Sequence, residues 1–129
     1  MKYRYATIND LPAITKCIAS TQYYGPIDAS TLDGHVLLAE TDDQVVACMW
    51  IMRCGRHCYL DMLSVIPEYQ HSGVGVKLLV VALRDLRNKG VEYVRASIHK
   101  DNKEALRIAE AMGGAIHGDY KIAFRKLGD

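Results

Sequence analysis

The pattern of apolar and polar residues predicts alternating strands and helices along the chain. Lys2–Ala6 alternates as a short first strand, and Leu11–Ile18 has its apolar positions on one face of a helix. Asp10 as N-cap and Pro12 in the first turn mark the start of this helix. A second, short helix is predicted near Ala29–Leu32.

Three long apolar runs follow and predict an antiparallel meander. They are His35–Glu40, Gln44–Arg53 and His57–Val65, and short polar turns separate them. Because the runs are almost continuously apolar, we expect helices to cover both faces of this sheet.

The second half of the chain predicts a helix, a strand, a helix and a closing pair of strands. Gly73–Gly90 is predicted as a central helix that is buried on most sides. Val91–Ile98 should lie parallel to the strand before this helix, since a helical crossover joins parallel strands. Asn102–Gly113 is the next helix, and Ala115–His117 and Tyr120–Arg125 are the last strands.

Composition indicates one domain, residues 1–129, and restricts the classes of partner. Half of the 129 residues are hydrophobic, which is enough to fill one core. Sixteen Lys and Arg residues against 15 Asp and Glu residues leave no basic excess, so nucleic acid is not an expected partner. No apolar run reaches the roughly 20 residues that span a membrane, and no signal peptide is recognisable. We expect a cytoplasmic protein without a membrane partner.

The four cysteines do not predict a metal site. Cys17, Cys48, Cys54 and Cys58, even with His57 beside them, lack the two ligand pairs that are typical of structural zinc sites. We expect reduced thiols packed in or beside the sheet, and no bound metal.

The turn that opens the long helix is the most informative stretch of the sequence. An apolar strand ends near Pro67, a polar turn follows, and Gly73 and Gly75 begin the helix. Backbone N–H groups at such a helix start converge on one point, where the helix dipole also favours an anion. Glycines would let a phosphate approach the main chain closely.

Two common phosphate-binding motifs do not fit this turn. A P-loop needs Lys and then Ser or Thr after its second glycine, whereas Val76-Lys77-Leu78 follows here. A dinucleotide fingerprint needs Gly or Ala where Leu78 stands, and it follows parallel rather than antiparallel strands. The remaining pattern is Gln70-x-x-Gly73-x-Gly75.

That pattern resembles the cofactor motif of the GNAT superfamily of N-acetyltransferases, (Gln/Arg)-x-x-Gly-x-(Gly/Ala). Leu63–Gln70 looks like the family's splayed fourth strand and following turn, and Asn102–Gly113 looks like its penultimate helix. The resemblance covers nearly the whole chain. It implies the α/β GNAT fold: a mixed central sheet of six to seven strands with an antiparallel meander, a splayed fourth and fifth strand pair, and about four helices on both faces.

The resemblance also implies acetyl-CoA as donor. In the family, the turn binds the pyrophosphate of coenzyme A through backbone N–H groups, and the pantetheine arm lies along the fourth strand. An asparagine at the start of the penultimate helix commonly contacts the pantetheine or orders the site. The implied cofactor-binding residues are Leu63, Ser64, Val65, Gln70, His71, Ser72, Gly73, Val74, Gly75, Val76 and Asn102.

A base or a chain of waters would help the implied chemistry, because an amine with a pKa of about 10.4 is mostly protonated at neutral pH. Backbone N–H groups of the fourth strand could polarise the thioester carbonyl. Candidate bases are Asp61, Glu40 and His99. Asp61 lies in an apolar strand, where a carboxylate is costly unless it is solvated or paired. It could equally bind a cationic substrate or lie at the surface.

The family's usual general acid is missing. Many members carry a tyrosine in the arrangement Asn-x-x-Ala-x-x-x-Tyr-Glu, and here Ala109 occupies the tyrosine position. Tyr120 is the candidate replacement, although an aromatic residue packed over the sheet is an equally good interpretation.

Two functions are therefore expected from the resemblance. The first is transfer of an acetyl group from acetyl-CoA to an amine acceptor, either a small molecule or a protein. The second is a catalytically silent domain of the same fold that binds coenzyme A or a protein partner. The short turn between the last two strands favours an open acceptor site. Since family members commonly pair their sheets, a homodimer is a further expectation.

Overall fold

The computed structural model describes residues 1–21, 27–28, 30, 35–98 and 100–111, together with the backbone of 115–117 and 121–126. Seven strands are present: β1 Lys2–Tyr5, β2 His35–Thr41, β3 Gln44–Cys54, β4 His57–Val65, β5 Tyr93–Ile98, β6 Ala115–His117 and β7 Lys121–Lys126. Within the described residues there are three α-helices: α1 Leu11–Ala19, α2 Val74–Asn88 and α3 Lys103–Ala111.

All seven strands form one mixed sheet in the order β1-β2-β3-β4-β5-β7-β6. The meander from β2 to β4 is antiparallel, as predicted. The pairing of β4 with β5 is parallel, which confirms the predicted crossover through α2. We expected about four helices, and the described residues contain three; the short helix predicted near Ala29–Leu32 lies largely outside them.

Tight turns hold the meander in register. Asp42 and Asp43 connect β2 to β3 with φ angles of 51° and 61°. Positive φ at both central residues gives a twist that matches the flanking strands, and aspartate tolerates this conformation better than most residues.

The core lies on both sides of β3, where every residue from Val45 to Ile51 is buried. The Cys17 thiol of α1 donates to the Ser64 carbonyl at 3.7 Å and neighbours Cys48 on one face. Leu86 of α2 lies beside Ile51, and positions 48 and 51 point to opposite faces of a strand. Helices therefore cover both faces of the sheet, as expected.

Helix α2 is enclosed over most of its surface. The residues that it buries are Val74, Gly75, Leu78, Ala82, Leu83 and Leu86. Leu79 and Val81 beside them are partly buried. The exposed residues of the helix are Lys77, Arg84, Arg87 and Asn88, which lie close to the predicted polar stripe. The prediction of a helix buried on most sides therefore agrees with the structure.

Asp10 holds the N-cap position of α1 and Pro12 lies in the first turn, as predicted, but the Asp10 side chain bonds elsewhere. The Asp10 carboxylate accepts the Thr7 N–H at 2.7 Å and two hydrogen bonds from Arg4, at 2.8 and 2.9 Å. It makes no side-chain cap to α1. Hydrogen bonding to Arg4 lowers the pKa of Asp10 to about 2. Through its side chain, Asp10 therefore ties β1 to this turn and gives α1 no side-chain cap.

Strands β4 and β5 pair over only part of their length. Their register extends from His57 opposite Tyr93 to Leu60 opposite Ala96, and beyond these residues the strands separate. On the other side of β4, Met62 and Leu63 both stand opposite the single residue Met49. Met62 has a φ of 53°, as expected for a β-bulge that bends its strand. The predicted splay is present, and it begins next to this bulge.

Gly75 permits a close approach between helices. A Cβ atom at this position would lie 2.5 Å from the Ile108 Cδ1 atom and 3.3 Å from the Val65 Cγ2 atom. The absence of a side chain therefore lets α2 approach α3 and β4.

We predict that Gly75→Ala and Ile108→Val will be coupled. Overpacking of the kind that Gly75→Ala introduces typically costs about 1–3 kcal/mol, offset in part by the higher helix propensity of alanine, about 1 kcal/mol. Ile108→Val removes the clashing methyl group. The double variant should therefore lose less unfolding free energy than the two single variants lose in sum. Urea denaturation of the four proteins measures this coupling. Strict additivity would show that the contact at Gly75 does not limit packing.

Candidate functional site

A cleft of about 460 Å³ opens where β4 has separated from β5. The separated half of β4, the turn after it, the end of α1 and the first turns of α3 enclose this cleft. Its lining residues are Ser20, Thr21, Leu63, Val65, Pro67, Gln70, His71, Asp101, Asn102, Lys103, Glu104, Ala105 and Ile108. Five residues predicted to bind the cofactor are among them: Leu63, Val65, Gln70, His71 and Asn102.

The turn between β4 and α2 is held together by its own side chains. A 3₁₀ turn at Pro67–Tyr69 follows the strand. The Gln70 Nε2 group donates back to the Val65 carbonyl at 3.1 Å, and the Ser72 hydroxyl donates to the Tyr69 carbonyl. Gln70 thus fixes the shape of the turn, a structural role that its place in the motif did not indicate.

Left-handed backbone conformations direct this turn toward the helix. His71 has a φ of 62°, and Gly73, the N-cap of α2, has a φ of 90°. Glycine adopts this conformation without strain, whereas it is unfavourable for histidine. A Cβ atom at Gly73 would meet no atom within 4 Å, so backbone conformation rather than space selects glycine there.

The start of α2 presents N–H groups that the helix itself cannot satisfy. Those of Val74, Gly75 and Val76 precede the first available helical carbonyls. Among the described residues, the Val74 N–H meets only the Ser72 hydroxyl, at 3.4 Å. These groups and the helix dipole favour an anion beside the turn.

Asn102 fixes the opposite wall of the cleft. Its side chain is buried, and its Oδ1 atom accepts the Ala105 N–H at 3.2 Å as the cap of α3. The Asn102 carbonyl accepts the Leu106 N–H at 3.1 Å. Ser64, another predicted cofactor residue, is buried in β4, where its hydroxyl donates to the Met62 carbonyl at 3.2 Å.

Glu104 links α3 to the turn. Its Oε1 atom accepts the His71 N–H at 3.4 Å, and its Oε2 atom lies 3.2 Å from the His71 Nδ1 atom. Arg107 donates to the same carboxylate at 2.8 and 3.3 Å. The spacing of Glu104 and Arg107 is a readable sign of an ion pair along a helix. Sequence analysis missed the contact with His71, which joins residues far apart in the chain.

Asp61 lies where β4 and β5 part. It is half-buried, pairs with Trp50 across the sheet, and its Oδ1 atom accepts the Met62 N–H at 2.8 Å. Burial raises the pKa of Asp61, and the hydrogen bond from Met62 offsets part of that shift. A carboxylate with a raised pKa binds a proton more readily, which suits a general base.

Glu40 lies elsewhere. Its carboxylate accepts two hydrogen bonds from Arg4, at 3.0 and 3.2 Å, and hydrogen bonding to Arg4 lowers the pKa of Glu40. Glu40 pairs with Val45, and Asp61 with Trp50, two positions that are about 16 Å apart along a strand. The structure does not bring these two candidate bases together.

The remaining candidates for proton transfer are Tyr120 and His99, and Ala109 stands at the position of the family's tyrosine. Tyr120 and His99 both lie outside the described residues. Ala109 is buried and packs with Ile98 and Ala105. Sequence analysis did not single out a hydroxyl pair on the neighbouring strands, in which Tyr59 donates to Ser97. Its only sequence sign is a polar position on each of two strands that pair in parallel.

Neither a metal-binding cluster nor a membrane-spanning helix occurs within the described residues. No group of three or more His, Cys, Asp or Glu side chains there is arranged to hold a metal ion. No helix in this part of the chain is long and apolar enough to cross a membrane. The four cysteines are free thiols, of which Cys54 alone is exposed.

Comparison with known proteins matches most of the chain to one family. The family model described as "Acetyltransferase (GNAT) family" matches residues 8–113. A mycothiol acetyltransferase from Nocardiopsis dassonvillei is 38% identical over 55 residues, which cover 43% of this chain and 17% of that protein. A thialysine N-epsilon-acetyltransferase from Mus musculus is 30% identical over 59 residues, which cover 46% of this chain and 35% of that protein. The chain thus spans 17% to 35% of the length of these two relatives.

A solved structure extends the likeness to the whole fold. The PaiA N-acetyltransferase from Thermoplasma acidophilum, crystallised in complex with coenzyme A, has a TM-score of 0.82 and 19% sequence identity. The match covers 98% of this chain and 100% of that chain. At this identity the likeness shows a shared fold.

We predict that Asp61→Asn will stabilise the folded protein above neutral pH. A raised folded-state pKa means that ionised Asp61 costs stability, and this cost appears as the pH rises from the unfolded to the folded pKa. The variant avoids the cost, so its stability advantage should be present at pH 8 and should vanish near pH 3. Urea denaturation at both pH values tests this. An advantage that persists unchanged at pH 3 would refute the electrostatic explanation.

Proposed function

The chain belongs to the acetyltransferase (GNAT) family, and on that premise we propose that it transfers an acetyl group from acetyl-CoA to an amine acceptor. One observation carries the proposal: the cleft beside the splayed part of β4 is lined by both Leu63 and Val65 of the strand and Gln70 and His71 of the turn that leads into α2. A ligand with a phosphate at one end and an extended, strand-like arm at the other fits such an arrangement.

The residues of the cleft fit the two ends of coenzyme A. The pyrophosphate would accept hydrogen bonds from backbone N–H groups between His71 and Val76. The left-handed conformation of Gly73 would help to orient these groups toward the ligand. The pantetheine arm would lie along the β4 backbone near Leu63 and Val65, where β5 no longer pairs with the strand. Asn102 would order the wall that faces this arm.

Asp61 is the residue that we assign as general base. When bound, the cofactor supplies a thioester whose carbonyl carbon is open to attack by an amine. Asp61 would accept the proton that the amine must lose, directly or through water, as the C–N bond forms and the C–S bond breaks. Backbone N–H groups near the Met62 bulge would stabilise charge on the carbonyl oxygen. Tyr120 or water would supply a proton to the leaving thiolate.

The acceptor in this proposal is a cationic amine on a small molecule or on a protein. The negative charge of Asp61, at the point where the strands part, would attract such a group. A cytoplasmic location belongs to the same proposal and rests on the sequence pattern, whereas a homodimer rests on the family resemblance. Glu40 stays a second candidate base, although its ion pair with Arg4 favours a structural role.

Ala109 supports a second candidate function. This buried residue replaces the tyrosine that many family members use as general acid, and it cannot donate a proton. A catalytically silent domain that binds coenzyme A or a protein partner is therefore the alternative. Binding of acetyl-CoA without release of thiol, across a broad panel of amines and proteins, would favour it.

We predict that the protein binds acetyl-CoA and that Gly73→Ala weakens this binding at least tenfold. An alanine at a φ of 90° is strained by about 1–2 kcal/mol, so the turn should shift and misdirect its N–H groups. Isothermal titration calorimetry measures both affinities.

Gly55→Ala is the matched control for this experiment. Gly55 also has a positive φ, 60°, and also has open space around it, but it lies in the hairpin between β3 and β4. Gly55→Ala should lose about as much stability as Gly73→Ala and keep its affinity for acetyl-CoA. No detectable binding by the unaltered protein would remove the basis of the proposed function, and normal binding by Gly73→Ala would show that the phosphate site lies elsewhere.

We predict that Asp61→Asn lowers kcat by about 10²-fold or more and leaves the affinity for acetyl-CoA unchanged. The base must be ionised to work, so the rate of the unaltered enzyme should fall as the pH drops through a pKa above the ordinary aspartate value. That limb of the pH profile should be absent in the variant. Glu40→Gln, measured in parallel, should retain the limb; if Glu40→Gln abolishes it instead, Glu40 is the base.

A further inference from the structure

The anion-binding turn already contacts an anion from its own chain. The Glu104 carboxylate accepts the His71 N–H at 3.4 Å and lies 3.2 Å from the His71 imidazole. Both residues line the cleft between β4 and α3. His71 is also the first of the residues whose N–H groups the proposed function assigns to the pyrophosphate.

The sequence of α3 keeps this carboxylate in place. Glu104 lies in the first turn of α3, where the helix dipole favours a negative charge. Arg107, one turn later, holds the carboxylate with two hydrogen bonds, and the Glu104 side chain is only 16% exposed. Burial raises the pKa of Glu104, but the bonds from Arg107 and the His71 N–H outweigh that effect and keep it below the ordinary value. Glu104 is therefore charged at neutral pH.

A phosphate and this carboxylate cannot share one donor without cost. A phosphate that accepts the His71 N–H would come into contact with a partly buried negative charge of the same sign. The contacts that hold Glu104 to the turn are the longer ones, since both distances to His71, 3.4 and 3.2 Å, exceed the 2.8 Å of the shorter bond from Arg107. Glu104 can thus leave His71 and stay paired with Arg107.

We propose that Glu104 is an internal competitor for the pyrophosphate: it occupies the His71 N–H in the free protein and is exchanged for a phosphate oxygen when coenzyme A binds. Arg107 limits the competition by neutralising the displaced carboxylate. This inference rests on the proposed function. It makes Glu104 a residue that sets affinity for the anionic end of the donor, with no contact to the reacting atoms.

The test compares affinities for two probes, coenzyme A and inorganic pyrophosphate, by calorimetry. Glu104→Gln keeps the shape and the hydrogen-bonding capacity of the side chain but removes its charge. We expect it to bind both probes on the order of 3- to 10-fold more tightly than the unaltered protein. Glu110→Gln is the matched control, because it removes the same charge from an exposed position about 9 Å further along α3. It should leave both affinities within twofold.

Arg107→Gln provides a second variant with an effect of opposite sign. Without Arg107 the Glu104 charge is uncompensated, so coenzyme A should bind several-fold more weakly. In the Glu104→Gln background the same change should have little effect, since Arg107 is argued to act through Glu104. A large effect in that background would mean that Arg107 contacts the ligand itself, and it would overturn this part of the inference.

The outcomes separate this inference from the proposed function. Tighter binding by Glu104→Gln supports competition. Unchanged or weaker binding by Glu104→Gln, while the unaltered protein binds coenzyme A, would overturn the competition and leave the proposed function standing; weaker binding would make Glu104 a brace for the turn. Absence of coenzyme A binding in every variant would overturn both.

Discussion

The separation of β4 from β5 beyond Leu60 is the constraint on which the site depends. It coincides with the bulge at Met62, where two residues of β4 stand opposite one residue of β3 and the strand bends. A sheet with full pairing would satisfy every backbone group along β4 and leave no room for a ligand beside it. The missing pairing is what turns a continuous sheet into a cleft lined by main chain.

Two charged groups respond to this opening in opposite ways. Asp61 stands at the point of divergence and is partly desolvated, so its pKa rises and it becomes able to take up a proton. Glu104 stands at the far side of the cleft, where Arg107 and the His71 N–H hold its pKa down. One carboxyl group thus holds a proton to a higher pH than a free aspartate does, and the other is kept as a fixed charge beside the turn at the start of α2.

Most strand boundaries and the motif turn could be predicted from the sequence because local patterns specify them. The prediction for β4 agrees with the structure at both ends, and the bounds of β2 and β3 differ by one residue. Some roles of individual residues lie beyond such patterns. The Asp10 carboxylate pairs with Arg4, and Gly75 leaves room for the side chain of Ile108. Both roles depend on a partner that is distant in sequence, and no local pattern reports it.

The sequence by itself determined the order of the elements, the mixed sheet with its meander, and the Gln70-x-x-Gly73-x-Gly75 turn at the start of α2, because hydrophobic periodicity and glycine placement act over a few residues. Only the tertiary structure decided how these parts meet. In the folded chain, Asp61 lies where β4 and β5 separate, Glu40 forms an ion pair with Arg4, and Glu104 contacts His71. Charge–charge contacts and desolvation depend on distances in the folded chain, so the chemical character of these three carboxyl groups is a property of the fold.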